Sequence, residues 1–167
     1  MRIVGLVDED IVNYKKASMY IAFPYCSFKC EKDCGEKMCQ NSALIKHSII
    51  EMSPEEVCAR YLNNPITSAI VCAGLEPFDS RFDILTLIEC LRRKNQCDDD
   101  LVIYTGYTEE ELSDPINNEI NFLYENLKTY KNIIVKFGRF VPHQEPHYDE
   151  VLGVKLASDN QYARKIS

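Results

Sequence analysis

The sequence contains no tryptophan, only three histidines, and no apolar run long enough to span a membrane. Basic residues are also scarce, since 19 Lys and Arg stand against 26 Asp and Glu and give a formal net charge of −7. Neutralising nucleic-acid phosphates takes a concentrated basic surface, so this composition argues against bulk nucleic-acid binding. No signal-peptide pattern follows Met1. We therefore expect a soluble, cytoplasmic protein that binds neither membranes nor nucleic acids.

Length and cysteine content limit the remaining classes. A chain of 167 residues with 46% apolar and 27% charged residues is typical of one globular domain, spanning residues 1–167. Eight cysteines are present, and disulfides are rare in the reducing cytoplasm. These thiols are therefore expected to be metal ligands, catalytic groups or small buried side chains.

Short β-branched segments alternate with helical patterns along the chain. Ser53 with Glu56, and Thr108 with Glu111, have the spacing of capping boxes at the starts of helices. Alternating strands and helices imply right-handed crossovers, so the sequence predicts an α/β domain with a mainly parallel sheet. Strands are expected at 18–23, 69–74, 101–106 and 132–137, with a weaker one at 151–156.

Four cysteines fall within fourteen positions: Cys26, Cys30, Cys34 and Cys39. A structural zinc site usually shows C-x2-C pairs, and spacings of three, three and four residues do not provide one. Iron–sulfur ligation, which also uses thiolates, is therefore favoured, and a zinc-stabilised binding module is an alternative. The other cysteines are expected to be buried or inert: Cys58, Cys72, Cys90 and Cys97.

Three segments with suggestive residues each follow a predicted strand. The cysteine loop follows the first strand, "GLEPF" (74–78) follows the second, and "TGYTEEE" (105–111) follows the third. In sheets of this kind a ligand binds beyond the carboxyl ends of the strands. The three segments are therefore predicted to form one site.

Four motifs occur in order along these loops: Cys26-x3-Cys30, Cys39-Gln40-Asn41, Gly74-x-Glu76-Pro77 and Thr105-Gly106-Tyr107. Together with "VKFGRF" and "ASDNQ" (157–161) near the C-terminus, they resemble the radical S-adenosylmethionine enzymes. The likeness is closest to the small activating proteins of glycyl radical enzymes, such as the activator of the anaerobic ribonucleotide reductase. It covers most of the chain.

The resemblance implies a partial (β/α) barrel with a [4Fe–4S] cluster, in which three thiolates bind and one iron stays open for S-adenosylmethionine. These two cofactors would generate a 5′-deoxyadenosyl radical that takes a hydrogen atom from a glycine of a partner enzyme. No catalytic side chain beyond the cluster is implied. The implied partners are a glycyl radical enzyme and an electron donor such as flavodoxin or ferredoxin. The implied cofactor-binding residues are Asn41, Gly74, Glu76 and Thr105.

The identity of the third ligand is open at the sequence level. The family spacing is C-x3-C-x2-C, but Asp33 stands where the third cysteine would fall. Cys34 would add one residue to the spacing, whereas Cys39 brings Gln40 and Asn41 into register with the family and makes "EKDCGEK" a loop insertion. Surface loops tolerate insertions at little cost. We favour Cys39, although binding by all four thiolates would close the cluster.

Two other functions compete with the activating one. A cluster-binding relative with a redox or assembly role is favoured by the irregular cysteine spacing and by Leu75, which stands where the family has a second glycine. A radical S-adenosylmethionine enzyme acting on a small molecule is the other. Basic or aromatic side chains lining the pocket would favour that enzyme.

Overall fold

The computed structural model describes residues 1–37 and 39–167 as an alternation of strands and helices. The strands are β1 (Arg2–Ile3), β2 (Gly5–Asp10), β3 (Ser18–Phe23), β4 (Ile50–Glu51), β5 (Ala69–Gly74), β6 (Asp100–Tyr104), β7 (Ile133–Phe137), β8 (His147–Asp149), β9 (Val154–Leu156) and β10 (Tyr162–Lys165). The helices are α1 (Lys29–Cys34), α2 (Pro54–Leu62), α3 (Arg81–Glu89), α4 (Glu109–Ser113) and α5 (Asn118–Leu127). Short 3₁₀ turns cover Ser42–Lys46 and Pro77–Ser80, and a π-helical turn covers Cys90–Lys94.

Six strands form the central sheet, in the order β10-β7-β6-β5-β3-β2. The four inner strands, β3, β5, β6 and β7, run parallel, and the two edge strands are antiparallel to their neighbours. The predicted mixed α/β domain with a mainly parallel sheet is therefore confirmed. Within the described residues the sheet is open, with β2 and β10 at its edges. The partial barrel stays a prediction.

Two apolar clusters cover the two faces of the sheet. Helices α2, α3 and α5 pack on one face, where Cys58, Cys72 and Cys90 are buried as predicted. The smaller cluster on the other face includes Leu152 and Leu156, from the turn and second strand of the β8–β9 hairpin. Successive strand residues enter opposite clusters, because side chains alternate along a strand.

The C-terminal region differs from the prediction. The strand expected at 151–156 is shorter (β9), and it pairs with β8 in a separate hairpin outside the central sheet. The turn at Gly153, with φ of +73°, interrupts the chain there. The carboxylate of Asp149 accepts hydrogen bonds from the backbone N–H groups of Leu152 and Ala163, both at 2.8 Å, which attach the hairpin to β10.

Hydrogen bonds at the helix starts confirm both capping boxes. Glu56 N–H donates to Ser53 Oγ at 3.1 Å, and Ser53 N–H donates to Glu56 Oε2 at 2.7 Å. Thr108 and Glu111 make the corresponding pair at 3.3 and 3.0 Å. Among the helices in the described ranges, none is both long and apolar enough to cross a membrane.

Candidate functional site

A cavity of about 390 Å³ lies at the carboxyl ends of the parallel strands. All three predicted loops contribute to its wall, because parallel strands end at the same edge of a sheet. Cys34 is exposed on the protein surface and does not line it. The predicted site residues that do line it are Cys26, Cys30, Cys39, Asn41, Gly74, Glu76 and Thr105.

The cysteine loop places its thiols by local backbone geometry. Phe28, with φ of +52°, turns the chain into α1, and its N–H donates to Cys26 Sγ at 3.2 Å. Cys30 lies in the first turn of α1 and Cys34 at its last residue. Gly35, with φ of +74°, ends the helix. The turn at Phe28 therefore separates Cys26, before the helix, from Cys30 within it.

The surroundings of Cys26 and Cys30 disfavour their thiolate forms. Burial raises the pKa of Cys26 to about 12, and burial is also the largest cause of the raised pKa of Cys30. The charge of Cys39 adds to the raised pKa of Cys30. Bound iron would supply the missing positive charge, since metal ligation requires and stabilises the thiolate. The donor set therefore fits an iron–sulfur cluster.

A single metal ion would need several possible ligands grouped around one point. In the ranges 1–37 and 39–167, no three His, Cys, Asp or Glu side chains are grouped as ligands of a single metal ion. A [4Fe–4S] cube distributes its thiolates over separate irons, so its ligands do not need to converge on one point.

Gly74 and Asn41 join the cysteine segment to the end of β5. Asn41 Nδ2 donates to the carbonyl oxygen of Gly74 at 2.7 Å. Gly74 has φ of +90°, and a Cβ there would lie 2.7 Å from the backbone nitrogen of Phe23. Leu75 N–H donates to the carbonyl oxygen of Phe23 at 3.0 Å. Glycine is therefore required at position 74 by both φ and the close approach of β3.

Glu76 joins the second loop to the third. Its Oε1 accepts hydrogen bonds from Thr105 Oγ1 at 2.8 Å and from Phe78 N–H at 3.1 Å, and its Oε2 accepts one from Gly106 N–H at 2.8 Å. The carboxyl group is buried, and burial raises its pKa to about 7 although these hydrogen bonds act in the opposite direction. Glu76 thus holds the Thr105–Gly106 turn beside the cavity.

This shifted pKa predicts a pH-dependent stability. The unfolded carboxyl group titrates near 4.5, so between that pH and about 7 the folded protein binds the extra proton. Wild-type protein is therefore expected to lose about 3 kcal/mol of unfolding free energy over this range, relative to Glu76→Gln. Urea unfolding of both proteins across the range measures the difference. The exposed Glu150→Gln variant should follow the wild-type profile, and parallel wild-type and Glu76→Gln profiles would contradict the assignment.

The "ASDNQ" segment folds back onto the loop after β7. Gln161 Nε2 donates to the carbonyl oxygen of Gly138 at 3.2 Å, and Asn160 Nδ2 donates to that of Arg139 at 2.9 Å. Ser158 Oγ in turn donates to Asn160 Oδ1 at 2.8 Å. These side chains fix the 138–139 turn, and Gln161 itself lines the cavity.

Lys136 is a cavity residue that sequence reasoning missed. It is buried on β7, and its Nζ donates to the carbonyl oxygen of Gly138 at 2.7 Å. Burial lowers its pKa to about 8, while the charge of Glu76 opposes that shift. A lysine inside the apolar run "NIIVKF" was the available signal, because buried lysines need a partner or a function. Other basic and aromatic lining residues are Lys29, Arg139, Lys155, Tyr20, Tyr104, Tyr107 and Phe140.

In a comparison with protein-family models, residues 16–157 match a model described as a 4Fe-4S single cluster domain. The matched range covers most of the chain and includes every residue of the cavity wall named above except Gln161. No significant match was found among curated proteins or among solved structures. The prediction of iron–sulfur binding is confirmed at the level of the family.

Proposed function

We propose that this chain, which belongs to the 4Fe-4S single cluster domain family, is a radical S-adenosylmethionine protein of the activating type. Cys26, Cys30 and Cys39 would hold a [4Fe–4S] cluster through three thiolates. S-adenosylmethionine would bind beside it, at the fourth iron. The observation that carries the proposal is that three thiols and the four expected cofactor-binding residues line one cavity.

Size and construction of the cavity support this assignment. Its volume of about 390 Å³ falls within the range of small-molecule sites. When bound, the reduced cluster would supply the electron that cleaves the carbon–sulfur bond of S-adenosylmethionine. The protein's own residues would shape the site and hold its loops in place. Gly74 allows the close approach of β5 to β3, and hydrogen bonds of Glu76 and Asn41 hold the three loops together around the cavity.

The partner belongs to the same proposal. A glycine of a glycyl radical enzyme would donate the hydrogen atom, and a flavodoxin or ferredoxin would supply the electron. The order of the motifs along the chain, which resembles that of the activating proteins, supports this choice of partner. The retained Glu76-Pro77, Thr105-Gly106-Tyr107 and Asn160-Gln161 elements all lie at or against the cavity.

A small-molecule substrate is the second candidate function. Four cationic side chains line the cavity of a protein whose net charge is −7: Lys29, Lys136, Arg139 and Lys155. Tyrosines 20, 104 and 107 add aromatic surface. Such a wall suits an anionic, partly planar molecule. This lining favours the small-molecule alternative over a protein that only stores a cluster.

S-adenosylmethionine cleavage tests the proposed function. Anaerobically reconstituted protein should hold about four iron and four sulfide per chain. S-adenosylmethionine should then change the electron paramagnetic resonance spectrum of the reduced cluster, and strong reductant should give 5′-deoxyadenosine and methionine. Glu76→Ala should weaken cleavage, because the Thr105–Gly106 turn loses its two hydrogen bonds to the Glu76 carboxylate, whereas Leu75→Gly should keep it.

Three outcomes separate the candidate functions. A glycyl radical doublet on addition of a glycyl radical enzyme supports the activating role. Cleavage without such a doublet, stimulated by an anionic small molecule, supports the second candidate. An intact cluster that neither responds to S-adenosylmethionine nor cleaves it would leave a cluster-binding redox or assembly protein.

A further inference from the structure

Helix α1 contains Cys30 and precedes Cys39 in the chain, yet apolar packing does not hold it in place. None of its six residues is buried. A helix this short is not stable alone, and most surface helices are held by an apolar face. The polar contacts of α1 must therefore fix its position, and with it the direction in which the chain leaves Cys30.

One set of contacts joins α1 to α4 and to the loop after β7. Asp33 Oδ2 lies 3.3 Å from Arg139 Nε, and Lys29 forms an ion pair with Glu111. Arg139 also contacts Glu111, with 2.7 Å between Nη2 and Oε1, and its guanidinium lies over the ring of Tyr107. The side chains of Arg139 and Glu111 are only 15% and 23% exposed, so their contact is partly shielded from water, whereas Asp33 is 53% exposed.

A second contact joins α1 to Cys39 directly. Glu31 Oε1 accepts a hydrogen bond from the backbone N–H of Cys39 at 3.0 Å. This bond spans eight positions of the chain and folds the end of the insertion back onto the helix. Charge-assisted hydrogen bonds of this kind are stronger than neutral ones. Glu31 therefore holds the backbone from which the Cys39 thiol reaches the cavity.

We propose that α1 positions the third thiolate, with Glu31 and Asp33 as its positioning residues. The inference rests on the proposed function, because it concerns how the same cluster site is completed. Asp33 occupies the position at which C-x3-C-x2-C proteins have their third cysteine. In this chain that position binds Arg139, and Cys39 supplies the sulfur from across the insertion.

Removal of these contacts should loosen the cluster without unfolding the domain. Without the Glu31 carboxylate, the backbone of Cys39 loses its fixed direction, and the third ligand dissociates more readily. Loss of groups that orient a metal ligand typically costs 10- to 100-fold in metal affinity. Because α1 buries no side chain, the domain core does not depend on it.

Iron loss from the anaerobically reconstituted protein tests the inference. Glu31→Ala and Asp33→Asn are compared with wild type and with Lys32→Gln, an exposed change on the same helix. Iron release to an iron(II) chelator should be about 10-fold faster in Glu31→Ala than in wild type. Glu31→Gln keeps an oxygen acceptor and should restore most of the stability. The spectrum of the reduced cluster should change in Glu31→Ala and stay the same in Lys32→Gln.

The outcomes distinguish this inference from the proposed function. If wild-type protein binds no cluster, both are overturned. If it binds a cluster that Glu31→Ala and Lys32→Gln release at the wild-type rate, only the positioning role is wrong. Faster release in Glu31→Ala with rescue in Glu31→Gln supports it, and circular dichroism of each variant checks that the fold is kept.

Discussion

Replacing Cys39 with alanine is expected to abolish cluster binding, whereas replacing Cys34 with alanine should leave it intact. Cys39 lines the cavity together with Cys26 and Cys30. Cys34 lies at the exposed end of α1, with its sulfur 3.8 and 3.5 Å from the carbonyl oxygens of Glu31 and Glu36. Iron and sulfide per chain after anaerobic reconstitution measure the difference.

Matched cysteine variants make the result interpretable. Cys26→Ala and Cys30→Ala should each abolish the cluster, because every ligand set uses both. Cys97→Ala removes a thiol outside the cavity and should bind a full cluster. Loss in Cys34→Ala with retention in Cys39→Ala would establish the shorter spacing, and loss in both would indicate a closed site with four thiolates.

Local signals made most of the fold predictable from the sequence. The buried strands β3, β5, β6 and β7 are β-branched or apolar runs, and capping boxes mark the starts of α2 and α4. The edge strands were not predicted. Their residues are partly exposed and polar, and β10 is defined by pairing with β7 rather than by its own sequence pattern. Strand propensity depends on such context.

The candidate site was predictable where it depends on chain order. Parallel strands bring their carboxyl-terminal loops together, so cysteines, Gly74, Glu76 and Thr105 were expected at one edge. Arg139 was not, because its role depends on contacts with Asp33 and Glu111, which are distant in the chain. Lys136 was also missed, although its position inside an apolar run was a signal. The bond between Asn41 and Gly74 spans 33 positions and is another such contact.

Gly74→Ala is expected to be among the most damaging single changes near the site. The left-handed conformation at φ of +90° costs a non-glycine residue about 1–2 kcal/mol. The added Cβ would also lie 2.7 Å from Phe23 N and 2.8 Å from Ala22 Cα, and overpacking against backbone costs about 1–3 kcal/mol more. Urea unfolding should therefore show a loss of about 2–5 kcal/mol.

Gly106→Ala provides the matched control on the neighbouring loop. Its Cβ would meet Arg139 Cγ and Glu76 Oε2 at 3.5 Å, an ordinary contact distance, so the unfolding free energy should change little. The Gly74→Ala variant should in addition lose S-adenosylmethionine binding, because displacing residue 74 from β3 also moves the carbonyl oxygen that Asn41 binds. Equal stability of Gly74→Ala and Gly106→Ala would contradict the close approach of β3 and β5 at this edge. If the Gly74→Ala protein still holds its cluster but no longer binds S-adenosylmethionine, the cofactor site is separate from the thiolate site. This result is expected if the second loop contacts S-adenosylmethionine and the first holds iron.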